Sequence, residues 1–166
     1  PKVAKFRDAQ KYSFVVEYPP PIIRRTVESN DVLKKPPVEL YIHIPDCPYI
    51  CDFCSFFKLK QLSEEEQRMY VNAVQRELDI YLQKSDLGHR RVSSLFFGGG
   101  TPTRLSPHYF SQLLGYIRSR LHFEQHAEIT SESTPDTLND EHLLVMAECG
   151  VNRLSIGVQD FHDNVL

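Results

Sequence analysis

Val38-Glu-Leu-Tyr-Ile-His-Ile-Pro-Asp-Cys-Pro-Tyr-Ile-Cys-Asp-Phe-Cys54 decides how this chain is read. Its first seven residues, Val38–Ile44, combine β-branched and aromatic side chains as a short strand does. Three cysteines follow within eight residues, spaced Cys47-x3-Cys51-x2-Cys54. Downstream, strand and helix alternate. Ser63-x-x-Glu66 is a capping-box signature. Behind it Tyr70, Ala73, Val74, Leu78, Tyr81 and Leu82 recur at helical spacing. Val92–Phe97 reads as a second strand, stopped by Gly98-Gly99-Gly100. Ser106-Pro107 opens a second helix with Phe110, Leu113, Leu114, Ile117 and Leu121 on one face. Ala127–Ser131 is a third strand, Asn139–Cys149 a third helix that Gly150 is placed to end, and Arg153–Val158 a fourth strand. This alternation predicts an α/β fold of right-handed βαβ units around a parallel sheet. In such sheets the chemistry gathers beyond the strand ends. The cysteine loop, the glycine run, the Glu132 segment and the Gln159 segment each follow a strand, so all four converge on one rim.

Upstream, residues 1–37 contain the stiff Tyr18-Pro19-Pro20-Pro21 stretch and end at Pro36-Pro37. They read as an extended arm, leaving 38–166 as the folded domain. The 166 residues, 41% hydrophobic and 25% charged, suffice for one domain with its own core. A net charge of -3 gives no footprint of nucleic-acid binding. No apolar run approaches the ~20 residues of a membrane span, and the N-terminus lacks a signal-peptide pattern. The expectation is a cytoplasmic protein without membrane or nucleic-acid partners.

Of the four cysteines, Cys149 stands alone in a helical pattern and reads as a small packed residue. Without an export signal, the other three read as metal ligands instead of disulfides. A four-iron cluster needs one ligand per iron, and three thiolates leave one iron open. An amino acid can chelate there through its amino and carboxylate groups, as the methionine end of S-adenosylmethionine (SAM) does. One electron then breaks the bond from sulfur to the 5′-carbon, and the radical released abstracts hydrogen from an unreactive carbon. Tyr49, Phe53, Phe56 and Phe57 fit a shielding role around such a loop. A zinc site that adds His43 to the three cysteines is the competing reading.

Three segments carry a specific resemblance. Tyr41–Cys54, Phe96-Phe-Gly-Gly-Gly-Thr-Pro-Thr103 and Asn152-Arg-Leu-Ser-Ile-Gly-Val-Gln-Asp-Phe161 resemble, in order and spacing, the signatures of the oxygen-independent coproporphyrinogen III oxidase group of radical SAM enzymes. The resemblance implies a partial (β/α)6 TIM-like barrel holding a [4Fe-4S] cluster on Cys47, Cys51 and Cys54. It implies one SAM molecule, or two in some members. Tyr41 matches an aromatic residue beside cluster and SAM and is the candidate for a catalytic role. Phe53 matches the position whose backbone meets the adenine. Gly99, Gly100 and Thr101 match the segment that takes the methionine amino group. Glu132 and Gln159 match polar residues that hold SAM, and Gly100–Thr103 would border both SAM molecules. A flavodoxin or ferredoxin would supply the electron.

Two features depart from that pattern. Ser55-Phe56 stands where the namesake oxidases commonly carry Gly-Cys. The strand count stops at four where the barrel needs six, so the chain is expected to be a barrel truncated after about four strands. The reaction implied is oxidative decarboxylation of coproporphyrinogen III. SAM-dependent C-methylation or cyclopropane formation on an aromatic natural product is an alternative, and heme chaperoning another. Arg24, Arg25, Lys58, Lys60 and Arg104 are candidates to meet substrate carboxylates, although most such charges are simply solvated.

Overall fold

The computed structural model describes residues 36–52 and 54–162. Phe53, the Tyr18–Pro21 stretch and Arg24 and Arg25 lie outside the described residues, and of the expected arm only Pro36 and Pro37 fall within them. The elements are β1 (Val38–Ile44), β2 (Asp46–Cys47), β3 (Leu59–Lys60), α1 (Glu64–Lys84), β4 (Arg91–Gly99), α2 (Pro107–Arg120), β5 (His122–Ser133), α3 (Asp140–Cys149) and β6 (Arg153–Ile156). Single 3₁₀ turns occupy Leu87–His89 and Pro102–Arg104.

β1, β4, β5 and β6 form one parallel sheet in that order. Each strand therefore lies beside its predecessor across a helix, and the winding never reverses. The helices touch in the same sequence, α1 on α2 and α2 on α3, so all three cover one face. A singly wound sheet with helices on one side is the local geometry of a β/α barrel, whereas a doubly wound sheet switches order and carries helices on both faces. The expected barrel-type arrangement is present in these four strands.

Local chemistry sets the helix ends. Ser63 accepts from the Glu66 amide while the Glu66 carboxylate accepts from the Ser63 amide, completing the capping box at α1. Glu64, Glu65 and Glu66 place negative charge at its N-terminus. Asn139 caps α3 by accepting from His142 N–H at 2.9 Å. Gly150 ends α3 with φ 87°, a left-handed conformation that glycine adopts without a Cβ penalty.

Alternation along the strands separates two faces. Ile44, Leu95, Phe97 and Ile129 point towards the helices and pack with Val71, Phe110, Leu113, Leu114 and Ile117. Phe97 and Phe110 lie with ring centroids 5.0 Å apart at the centre of this layer. The opposite face carries Glu39, Tyr41 and His43 from β1, Phe96 and Gly98 from β4, and Glu128, Thr130 and Glu132 from β5. That polar face is the one on which chemistry is possible.

Strand limits differ from the sequence expectation in three places. β4 runs on through Gly98 and Gly99 because His43 and Ile44 supply ladder partners for them. β5 starts at His122, which pairs with Arg91; the register then slips between Val92 and Ser94 before Glu128 resumes the ladder. β6 stops at Ile156, after which Gly157 donates to the Ser133 carbonyl at 2.9 Å and Gln159 turns through φ 68°. No helix among the described residues is long and apolar enough to cross a membrane.

Candidate functional site

The cysteine loop is sewn down at both ends. Leu59 N–H donates to the Pro45 carbonyl at 2.7 Å and Gln61 N–H to the Cys47 carbonyl at 3.2 Å, which makes the β2–β3 pair. From the sheet, His43 Nε2 donates to the Phe57 carbonyl at 2.7 Å. In that tautomer Nδ1 accepts from the Tyr41 hydroxyl at 3.2 Å. The Tyr70 hydroxyl of α1 donates to the His43 carbonyl. Lys58 Nζ donates to the Cys54 carbonyl at 2.7 Å, closing a short turn in which Cys54 N–H reaches the Cys51 carbonyl.

Cys47 is buried, Cys54 half-buried and Cys51 exposed. The Thr101 hydroxyl donates to Cys47 Sγ at 3.9 Å. Burial pushes the Cys47 thiol up, the Thr101 hydroxyl pulls it down, and the neighbouring Cys54 and Cys51 raise it. The three thiols thus lie within electrostatic reach of one another, and gathering three thiolates is unfavourable without a strongly cationic group between them. An iron–sulfur cluster is such a group, and it takes one thiolate per iron without requiring the three to converge on a point. Among the described residues no group of three or more His, Cys, Asp or Glu side chains is arranged to hold a metal ion, so the fit of the cysteine loop to a cluster rests on its residue types and spacing. His43, the fourth ligand of the zinc alternative, has both ring nitrogens engaged. The donor set therefore fits a cluster.

The glycine run lies directly against this loop. Gly100 N–H donates to the Ile44 carbonyl and Thr101 N–H to the Asp46 carbonyl, each at 2.7 Å. A β-carbon at Gly100 would meet the Asp46 oxygen at 2.6 Å and the Ile44 oxygen at 2.8 Å. Gly99 has φ 109°, and a β-carbon there would strike the His43 ring at 2.5 Å. At Gly98 the missing β-carbon makes room for Glu132 Oε2 and Tyr41, which would lie 2.7 and 3.1 Å from it. The absence of side chains here lets the glycine run pack directly against His43, Glu132 and the cysteine loop.

Glu132 lies one residue before the end of β5 on the polar face, and its Oε2 accepts from Gly99 N–H at 3.2 Å. Burial raises its pKa, against the Gly99 hydrogen bond and the nearby His43 ring. Tyr41 stacks on Phe96 at 6.0 Å; burial and the Glu132 charge push its hydroxyl up. Tyr41, the glycines and Glu132 are therefore brought together, and Thr101, next along the chain, bonds Cys47. Thr103 is placed differently. It is buried, and its hydroxyl is shared with Ser133 at 2.9 Å and Thr137 at 2.6 Å, in a hydroxyl cluster behind the glycine run. Gln159 stands at the far end of the rim, exposed, with its side chain folded over Gly157. A glutamine in a left-handed conformation is uncommon.

Other residues behave unlike the sequence expectation. Tyr49, Phe56 and Phe57 do not shield the loop but remain exposed, Phe57 at 68%. Arg104 does not reach outward for substrate; it faces the buried Asp46, with Nε 3.7 Å from Oδ2. Lys58 is engaged by the loop itself, and Lys60 is exposed on β3. Two residues escaped sequence reasoning. Asp46 is fully buried beside Cys47, with burial raising its carboxyl while the Leu62 amide and the Arg104 charge pull it back. Gln67 donates to the Arg104 carbonyl and accepts from Ser106 N–H, joining α1 to the start of α2. A lone acid in an otherwise apolar strand-to-cysteine junction was the available signal for the first; nothing in the sequence marked the second.

The family model described as the radical SAM superfamily matches residues 41–166. The heme chaperone HemW of Haemophilus influenzae is 36% identical over 135 residues, which cover 80% of this chain and 35% of that protein. The oxygen-independent coproporphyrinogen III oxidase of Salmonella typhimurium is 37% identical over 129 residues, 78% of this chain and 28% of that one. Among solved structures, coproporphyrinogen III oxidase (HemN) from Escherichia coli, titled a radical SAM enzyme, matches with a TM-score of 0.72 and 36% identity. That match covers 78% of this chain and 29% of the other. The chain thus spans about a third of the length of the curated relatives it matches.

Proposed function

Because the chain belongs to the radical SAM superfamily, we propose that it forms the cluster- and SAM-binding part of a tetrapyrrole-handling protein whose reaction is oxidative decarboxylation of coproporphyrinogen III. The observation that carries this reading is the direct bonding of the glycine run to the cysteine loop, with Thr101 donating to Cys47 Sγ and its amide to the Asp46 carbonyl. When bound, a reduced [4Fe-4S] cluster supplies the electron that splits the SAM sulfonium and so gives a radical able to take hydrogen from substrate. Cys47, Cys51 and Cys54 would hold three of its irons. Gly99, Gly100 and Thr101 offer backbone to the methionine amino group, Glu132 and Gln159 offer polar contacts to the rest of SAM, and the Phe53 backbone meets the adenine. Thr103 stiffens the glycine run from behind through its hydroxyl contacts. Tyr41 closes the polar face beside the cluster loop. Each of two substrate propionates loses hydrogen and carbon dioxide, with one electron passing to an acceptor. A flavodoxin or ferredoxin is the electron donor. Residues 1–37 serve as an arm preceding the 38–166 core.

The test is to assemble the cluster anaerobically on the full chain, reduce it, and supply SAM with coproporphyrinogen III. Decarboxylated tetrapyrrole with 5′-deoxyadenosine supports the reading; deoxyadenosine without any change in the tetrapyrrole removes the substrate assignment. A second reading, heme chaperoning, is favoured by the likeness to proteins named HemW, while Ser55-Phe56 after the last cysteine departs from the Gly-Cys common in the namesake oxidases. Stable heme binding without turnover would select it.

A further inference from the structure

Asp46 immediately precedes the first ligand cysteine and is fully buried. An ionised carboxylate in that setting is costly unless every bond it makes is used. Its Oδ1 accepts from Leu62 N–H at 3.1 Å, at the point where the cysteine loop returns to α1. Its Oδ2 faces Arg104 Nε at 3.7 Å, and neither of those two atoms has a hydrogen-bond partner among the described residues. Its backbone carbonyl takes Thr101 N–H at 2.7 Å. Three segments therefore meet on this one residue: the strand-to-cysteine junction, the loop exit at Leu62, and the Thr101–Arg104 segment behind the glycine run. An apolar side chain would fill the space at lower cost but would join none of them.

We propose that Asp46 is a positioning residue, with Arg104 as its counter-charge, that fixes Cys47 against the Gly99–Thr103 segment. The cysteine loop and the glycine run then behave as one body. The spacing between the first iron ligand and the backbone offered to SAM is set by protein bonds before either group binds. This rests on the cluster reading given under the proposed function, and it concerns two residues that are not themselves candidate ligands.

Asp46→Asn tests it, because the amide oxygen keeps an acceptor for Leu62 N–H while the charge facing Arg104 is lost. Arg104→Gln removes the other half, and Asp46→Leu is the stricter variant. In the cluster-free full chain, iodoacetamide labelling is followed cysteine by cysteine. Asp46→Asn should label Cys47 about tenfold faster than wild type, with Cys149 unchanged as an internal control. In the anaerobically assembled and reduced protein, the SAM-induced change in the cluster's EPR spectrum should need about tenfold more SAM in both single charge variants. Unchanged Cys47 labelling in Asp46→Asn overturns the clamp. Faster labelling with a wild-type SAM titration overturns its role in positioning. Should wild-type protein itself assemble no cluster, the cluster reading fails, and the labelling comparison decides the clamp on its own.

Discussion

Gly100 and Asp46 meet backbone to backbone: a β-carbon on Gly100 would lie 2.6 Å from the Asp46 carbonyl oxygen. Neither partner is a flexible side chain, so any substituent forces the two loops apart. Gly100→Ala is expected to destabilise the full chain by about 1–3 kcal/mol in urea unfolding and to weaken the Thr101–Asp46 bond beside Cys47. Gly115→Ala is the matching control. It lies within α2 with nothing near its would-be β-carbon, and should stabilise by roughly 0.5–1 kcal/mol. Equal effects at the two glycines would contradict this packing.

Glu132 should shape the pH dependence of stability. Its folded-state pKa is raised by burial. The folded chain therefore keeps a proton over a window in which the unfolded chain has lost it. Stability from this group is fully present below the unfolded-state pKa and declines as pH rises through the folded-state pKa. Glu132→Gln should remove that decline, so the difference between variant and wild type in urea midpoint grows in the variant's favour from about pH 4 to about pH 7. A constant difference across that range would show the carboxyl to be unperturbed.

Cys51 is exposed, so Cys51→Ala should leave unfolding within about 0.5 kcal/mol of wild type. Its iron and sulfide content after anaerobic assembly should nevertheless collapse, with loss of the brown absorption. Full iron loading in this variant would count against cluster ligation by the loop.

Phe97 is fully buried against Phe110. Phe97→Ala should cost about 3–5 kcal/mol, a large share of the stability of a domain this size. A loss under 1 kcal/mol would mean that the sheet–helix layer is not the main core.

Much of this architecture is legible in the sequence because its causes are local. Ser63 with Glu66, Asn139, and Gly150 after Cys149 each set a helix end through neighbours three or four residues away. The strand-end position of Cys47, Gly99, Glu132 and Gln159 follows from the βα rhythm alone. What was not legible depends on partners distant in sequence. The extension of β4 through Gly98 and Gly99 needs His43 and Ile44 across the ladder. The β2–β3 pair has two residues per strand, too few for any periodicity to show. Asp46 looks like a surface acid until Leu62 and Arg104 close over it. Thr103 falls in a motif associated with SAM, yet its hydroxyl turns towards Ser133 and Thr137 from β5 and the loop that follows.

The proposed chemistry depends on an iron that the three thiols leave open to an incoming amino acid. EPR of the anaerobically assembled, dithionite-reduced full chain, recorded before and after adding SAM, reads that property directly. The expected result is a reduced-cluster signal whose shape and g-values change with SAM, with no such change on adding 5′-deoxyadenosine, which lacks the amino and carboxylate groups, in its place. A fully loaded, redox-active cluster whose spectrum is indifferent to SAM would contradict it.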